Sequence, residues 1–259
     1  MRVFVMGRPA VKSETLPKPL GRMGKTPVPL SVIIPVGPGE QGPFALTRAL
    51  ALLPAEWEVI FALCEPREDL DLPSDLNIYT VISDAGRAIQ MNTAARAAQG
   101  ELLWFLHLDS ILTLDMIQAL QRGLKSAPDA LQYFRLAFDQ DGAGPTRLNA
   151  WAANLRSRRL GVPFGDQGLC LSARHFHAIG GYPESVPYGE DHLLVWHARQ
   201  HGIRLNELHA TLCTSARKYR TRGWFWLTAV YQWRWIRQAL PQYIRLLGRQ
   251  WSRHHPGSL

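Results

Sequence analysis

Between residues 31 and 126 the chain alternates short, unbroken apolar runs with longer stretches of helical period. Ser31-Val32-Ile33-Ile34-Pro35-Val36 shows no polar alternation, so it reads as a strand covered on both faces that leaves into a loop at Gly37-Pro38-Gly39. Residues 57–63 and 77–82 read as the second and third strands, and 101–106 as the fourth. Helices are predicted over 44–53, with Leu46, Leu50 and Leu53 on one face, and over 87–99, rich in alanine and closed by Gly100. A third runs over 113–125 with Thr113 as its N-cap. Strands and helices in this alternation mean βαβ units and a parallel sheet, whose ligands bind beyond the carboxyl ends of the strands.

The second half is less regular. Residues 130–138 read as a strand, 139–145 as a turn and 147–159 as a basic helix. A polar loop at 163–168 feeds a short strand at 169–171 and a short helix at 172–179, and Gly180-Gly181-Tyr182-Pro183 makes a turn. Gly189-Glu190-Asp191 opens a helix that runs to about residue 201. Two acids in a first turn are favoured by the helix macrodipole, which also keeps them ionised. That is a common helix start, and equally a base held on a rigid element.

From 223 to 251 the pattern is helical again, interrupted by Pro241. Arg234, Gln238, Gln242, Arg245 and Arg249 recur on one side, and Trp233, Ile236, Leu240, Ile244 and Leu247 occupy others. A basic polar face beside tryptophan-rich apolar faces suits a helix lying in a membrane interface. A pair of helices packed on the body or on a second subunit is the alternative. His197 and His201 stand four apart on the preceding helix, a spacing that can ligate zinc, but the intervening Ala-Arg-Gln lacks a metalloprotease glutamate and surface histidines are expected.

With 46% hydrophobic and 19% charged residues, the 259-residue chain has the composition of a globular protein. Its net charge of +8 invites a nucleic-acid reading until the charge is located. The first thirty residues hold six Lys/Arg against Glu14 alone, and residues 217–259 hold nine against no acid. The middle holds fourteen against twenty acids, so the body is acidic and no nucleic-acid partner is expected. The chain divides into a flexible basic leader (1–30), an α/β body (31–216) and a basic, tryptophan-rich helical tail (217–259). The leader's one apolar run, residues 3–6, is too short for a signal peptide, and Met23 is an alternative translation start. Cys64, Cys170 and Cys213 show no pairing or metal-ligand spacing, so free thiols in a reducing, cytoplasmic setting are expected, with the tail on the inner membrane face.

Asp109 follows the fourth strand in His107-Leu108-Asp109-Ser110, where a carboxylate either holds a divalent cation bridging phosphate oxygens or caps the next helix. Taken in order, Ser-Val-Ile-Ile-Pro, Gly86-Arg87-Ala88-Ile89-Gln90-Met91-Asn92, the 106–110 segment, Gly165-Asp166-Gln167, Gly180-Gly181-Tyr182-Pro183-Glu184, Glu190-Asp191 and the 214–219 segment resemble family-2 glycosyltransferases of the GT-A fold. Within them the chain resembles the group named for its association with radical-SAM/selenodomain proteins, over roughly residues 31–235.

The resemblance implies inverting transfer of a sugar from a nucleotide-diphosphate donor to an unidentified, membrane-proximal or lipid-linked acceptor. It implies that Pro35 and the loop after it border the nucleotide, and that Arg87 and Asn92 face the nucleotide sugar. Asp109 matches the last acid of the Asp-x-Asp motif and the metal site, for Mg²⁺ or Mn²⁺. Asp191 of the Glu190-Asp191 pair matches the catalytic base. Asp166 and Gln167 match a loop that meets donor sugar or acceptor, with Arg217, Lys218 or Arg220 helping to hold the leaving diphosphate. Two positions depart from the family. Leu63 stands where an acid usually contacts the nucleotide base, with Glu65 as a substitute, and His107 replaces the first acid of Asp-x-Asp. A catalytically impaired, membrane-attached binding protein of the same fold is therefore the second reading.

Overall fold

The computed structural model describes residues 29–40, 45–67 and 76–254, so the predicted leader with Met23, and Phe44 at the start of the first predicted helix, lie outside the described residues. The sheet begins with β1 (Leu30–Val36), β2 (Glu58–Leu63) and β3 (Asn77–Ile82), followed by β4 (Leu102–Phe105) and the two-residue β5 (Ser110–Ile111). β6 (Leu131–Phe138), β7 (Cys170–Ser172) and β8 (Leu205–Thr214) complete eight strands in the order β3-β2-β1-β4-β7-β6-β8-β5. The pairs β3·β2, β2·β1, β1·β4 and β6·β8 are parallel, while β7 runs against both its neighbours and β5 runs against β8.

The unbroken apolar runs have a direct cause. Alternate residues of the central strands feed two different cores, so neither face of the strand can be polar. Val32 and Ile34 of β1 join Phe61 of β2 with α1 (Ala45–Ala49) and the single 3-10 turn that follows it, and with α3 (Leu114–Ser126). Ile33 joins Ile60 and Phe105 with α2 (Arg87–Ala97), α5 (Ala173–Ala178) and α6 (Glu190–Gln200) on the other side. Thr113 caps α3 as expected, its hydroxyl accepting from the Met116 amide at 3.3 Å, so Asp109 is not the cap.

Gly100 does not close α2. The helix ends at Ala97 with Ala98 extended, and Gly100 is needed for a different reason. A Cβ there would stand 2.6 Å from the Ser31 backbone nitrogen, so only glycine lets the chain pass this close to β1. Its amide donates to Ser31 Oγ at 2.8 Å and to the buried Glu58 carboxylate, which also accepts from Ser31 Oγ and the Gln99 amide at 2.5 Å each.

Two further departures concern the second half. β8 escaped the sequence reading although Leu208, Ala210, Leu212 and Thr214 alternate inward along it, the period-2 signal of a half-buried strand. The tail forms α7 (Arg217–Arg222) and one continuous α8 (Trp224–His254) that passes through Pro241 without interruption. Pro241 and Arg237, whose carbonyl loses its amide partner, are both on the exposed side, where water replaces the bond. α8 packs on α4 (Thr146–Leu160), α6 and α7 with a mixed face. Leu227, Ala239 and Leu246 are buried and Trp235 joins Val162 and Trp196, while Gln238 donates to the Tyr188 carbonyl, Gln242 accepts from Gln200, and Asn149 donates to Thr228. A second apolar stripe faces out, leaving Trp233 58%, Ile236 55%, Leu240 60% and Ile244 61% exposed.

Replacing Gly100 by alanine is expected to lower stability by about 1–3 kcal/mol, because the new methyl meets backbone that cannot move aside. Denaturant unfolding with an unchanged midpoint would refute this account of Gly100.

Candidate active site

The topology brings distant loops to one edge. Because β7 runs opposite to β4, the 3-10 turn Gly165–Gln167 that precedes it sits beside the loop that follows β4, and the Phe105 amide bonds the Leu169 carbonyl at 2.9 Å. β8 lies parallel to β6 and ends at the same edge, delivering Lys218. Gln90 donates to the carbonyls of Val36 and Ala62, at 2.7 and 2.6 Å, and so ties α2 to the ends of β1 and β2.

At the centre, Arg87 on the first turn of α2 bridges to the first turn of α6. Its Nε donates to Glu190 Oε1 at 2.8 Å and its Nη2 to Asp191 Oδ2 at 2.9 Å. A cation at a helix N-terminus opposes the macrodipole, so this arginine is held there by its two carboxylates. The second oxygen of Asp191, Oδ1, is buried and has no partner among the described residues. Gly165 lies against this carboxylate so tightly that any Cβ there would collide with it. Burial raises the Asp191 carboxyl, aided by repulsion from Glu190, against the pull of Arg87. Burial also works against Glu190, but there the Arg87 charge prevails and carries it below its ordinary value.

A second cluster adjoins the first. His107 Nδ1 stands 2.9 Å from Asp166 Oδ1, and Lys218 Nζ 3.7 Å from Asp166 Oδ2. Despite burial, Lys218, His107 and Arg87 hold Asp166 far below the usual carboxylate range, and Asp166 in turn raises Lys218. A cavity of about 420 Å³ opens in front of both clusters, lined by Arg87, Asp166, Glu190, Asp191 and Lys218 on one side. Arg156, Phe164, Tyr188, Tyr231, Arg234 and Trp235 line the other. The last three belong to α8, so the tail helix is a wall of the site. None of these six carried a motif; the nearest signal was the recurrence of Arg234 and Gln238 on one side of the tail.

The other expected site residues fall elsewhere. Gln167 is corrected: it is fully buried, its amide donating to the Phe134 carbonyl and accepting from Ser157 and the Phe164 amide, so it cannot touch donor or acceptor. Asn92 is corrected too. Its amide holds the 180–184 turn by donating to the Tyr182 carbonyl and Glu184 and accepting from the Tyr182 amide, beside a separate cleft and outside the cavity lined by Arg87. Pro35 is buried within β1 opposite Ala62, so only the loop beyond it reaches the surface. Arg217 is exposed, bonding Ser215 at 3.0 Å and standing 3.9 Å from Asp141. Leu63 belongs to the core at the end of β2, and Glu65 accepts from the Gly39 amide, joining the loops after β1 and β2.

Asp109 is exposed in the turn after β4 and has no hydrogen bond or ion pair among the described residues. No group of three or more His, Cys, Asp or Glu side chains able to hold a metal occurs among the described residues, since His107 and Asp166 engage each other. The donor set therefore fits a cation that takes one carboxylate from the protein and its other ligands from substrate phosphates and water, a mode Mg²⁺ favours. It does not fit a cation caged by protein alone.

No protein-family model matches the sequence, and no curated protein does. In structure the chain is similar to S. aureus TarS 1–349 in complex with UDP-GlcNAc, with a TM-score of 0.58 and 17% identity over 72% of this chain and 58% of that one. The UDP complex of the same protein matches equally, over 60% of its length. The mannosyltransferase PcManGT from Pyrobaculum calidifontis, in complex with GDP-Man and Mn²⁺, matches with a TM-score of 0.52 and 16% identity over 71% of this chain and 56% of that one. The chain thus spans less than two thirds of the structures it resembles. At these identities the likeness is one of fold: the curled, mostly parallel sheet flanked by helices is the GT-A fold of glycosyltransferases.

Proposed function

We propose that the protein is an inverting glycosyltransferase that moves a sugar from a nucleotide-diphosphate donor to a hydroxyl of an acceptor bound in the cavity, with Asp191 as base. The observation that carries this reading is the buried, unpartnered Asp191 Oδ1 on the cavity wall, an acceptor atom held ready for a hydroxyl proton. The acceptor oxygen attacks the anomeric carbon opposite the diphosphate as its proton passes to Asp191. The bond to the diphosphate breaks, and the configuration inverts. Arg87 orients Asp191 and lowers its pKa against the effect of burial. A cation on Asp109 would screen the departing diphosphate, and Lys218 adds a fixed positive charge. The nucleotide sugars held by TarS and PcManGT support the donor class, and the ordered motifs support membership of family 2 near the radical-SAM/selenodomain-associated group.

The outward apolar side of α8 supports a second element of the reading, contact with an anionic membrane surface. No helix among the described residues is long and apolar enough to cross a membrane. Phe225, Trp226, Trp233, Ile236, Leu240 and Ile244 are nonetheless exposed, and Arg237, Arg245 and Arg249 are exposed beside them. That combination suits a helix lying in the headgroup layer.

In an assay for nucleoside diphosphate release from UDP- and GDP-sugars with Mn²⁺, Asp191→Asn is expected to lower turnover by about 10²–10⁴ while donor binding persists. Unchanged turnover removes Asp191 from the base role. Activity through a base is lost as pH falls through that group's pKa. Arg87 lowers the Asp191 value, so Arg87→Gln is expected to move the acid limb of kcat/KM to higher pH. A limb that stays put or moves down contradicts the Arg87 assignment. In flotation with phosphatidylglycerol vesicles the full chain is expected to rise, and a Trp233→Ser/Ile236→Ser/Leu240→Ser triple variant to remain below. Equal recovery defeats the membrane contact.

A further inference from the structure

The cavity carries more positive charge than its own carboxylates answer. Glu190 and Asp191 pair with Arg87, and Asp166 pairs with His107 and Lys218. Arg156 has no such partner. It extends from α4 across the ring of Phe164, with its guanidinium carbon 3.6 Å from that centroid and 5.6 Å from the ring of Trp235. Its Nε donates to the Val162 carbonyl at 3.2 Å, while its Nη2 is buried with no partner among the described residues. Burial pulls its pKa down to about 10, with Asp166 acting weakly the other way, so it stays charged at neutral pH. Arg234 enters the same cavity stacked over Tyr188 at 4.7 Å, and it too forms no ion pair among the described residues.

A buried guanidinium nitrogen without an acceptor is costly, and native proteins rarely keep one unless something else completes it. The stacking and the Val162 bond fix the guanidinium plane and leave Nη2 without an acceptor, suited to a charge-assisted bond to a phosphate or carboxylate oxygen. A volume of about 420 Å³ admits a small molecule or a headgroup.

We propose that the acceptor bears an anionic group, a phosphate or a carboxylate, beside the hydroxyl that receives the sugar, and that Arg156 binds that group. This rests on reading the cavity as the acceptor side of a transferase. The charge would then act in selection: a neutral polyol of the same shape leaves Arg156 uncompleted and binds weakly.

Titration calorimetry of the full chain with sn-glycerol 3-phosphate, glycerate and glycerol tests this, with phosphatidylglycerol and phosphatidylcholine vesicles as a second arm and UDP and GDP as controls. Saturable binding of an anionic probe is expected, with none for glycerol. Arg156→Met is expected to weaken that binding by about tenfold or more and to leave nucleotide binding unchanged. Arg156→Lys, which keeps the charge and most of the packing, is expected to retain part of it, which separates loss of the charge from loss of the fold. Dependence on Arg156 with the soluble probes assigns a free anion, and dependence on phosphatidylglycerol vesicles alone assigns a lipid headgroup; either supports the proposal. Equal affinities of wild type and Arg156→Met in both arms, or no saturable anion binding in either, overturn it. If anions bind through Arg156 but no nucleotide binds, the anion site stands and the transferase reading falls.

Discussion

The site depends on the fork that Arg87 places between Glu190 and Asp191. Two adjacent carboxylates on the first turn of one helix repel each other, and burial would drive one to take up a proton. Arg87 arrives from the first turn of another helix and bonds one oxygen of each at 2.8 and 2.9 Å. This single contact locks α2 to α6 across more than a hundred residues of sequence. It also leaves the two acids unequal: Glu190 is held ionised, while Asp191 keeps a raised pKa and one oxygen with no partner. Burial and Glu190 raise the one acid while Arg87 fixes its orientation.

The rest of the fold supplies the elements that meet at this fork. A parallel sheet sends its loops to the carboxyl edge, and the reversed β7 adds one more by bringing Asp166 in from the opposite direction. His107, in the loop after β4, joins the same cluster. It bonds Asp166, and Asp166 fixes Lys218. Two clusters, each with its charges paired internally, form one wall of a cavity whose other wall comes from α4 and α8. Arg156 and Arg234 are the cavity's cations that form no ion pair among the described residues.

Much of this was legible in order and little of it in orientation. The unbroken apolar runs located β1 to β4 because both sheet faces are covered, and the acids after Gly189 located the start of α6. Asp166, Arg87, Glu190 and Asp191 stood in motifs and the structure brings them together. Asn92 and Gln167 stood in the same motifs, yet their amides bond backbone inside the protein. A side-chain amide serves as ligand contact or as internal brace with equal ease, and the choice depends on partners such as Tyr182 and Phe134, which no local pattern reveals. β8 was readable from its alternation and was obscured by polar residues at its start. Gly100 read as a helix end because its spacing suited one; its real constraint, the approach to β1, lies seventy residues away in sequence.

The tail helix shows how far a period can inform without its environment. Its polar and apolar sides were visible as sequence, but the rule that apolar sides turn inward presumes an apolar surface underneath. Here the surface underneath is apolar at Val162, Trp196 and Tyr219, which Leu227, Ala239 and Leu246 cover, and elsewhere is the mouth of a charged cavity. Over that mouth the helix offers polar groups, Arg234 and Gln238. The remaining side, with Trp233, Ile236, Leu240, Ile244 and Leu247, is then turned outward by the same rotation that completes the cavity. Facing the site and exposing an apolar stripe are thus one structural event. A surface that buries the stripe would press α8 onto the cavity, so whatever covers the outer side of the helix and the shape of the cavity wall are physically coupled.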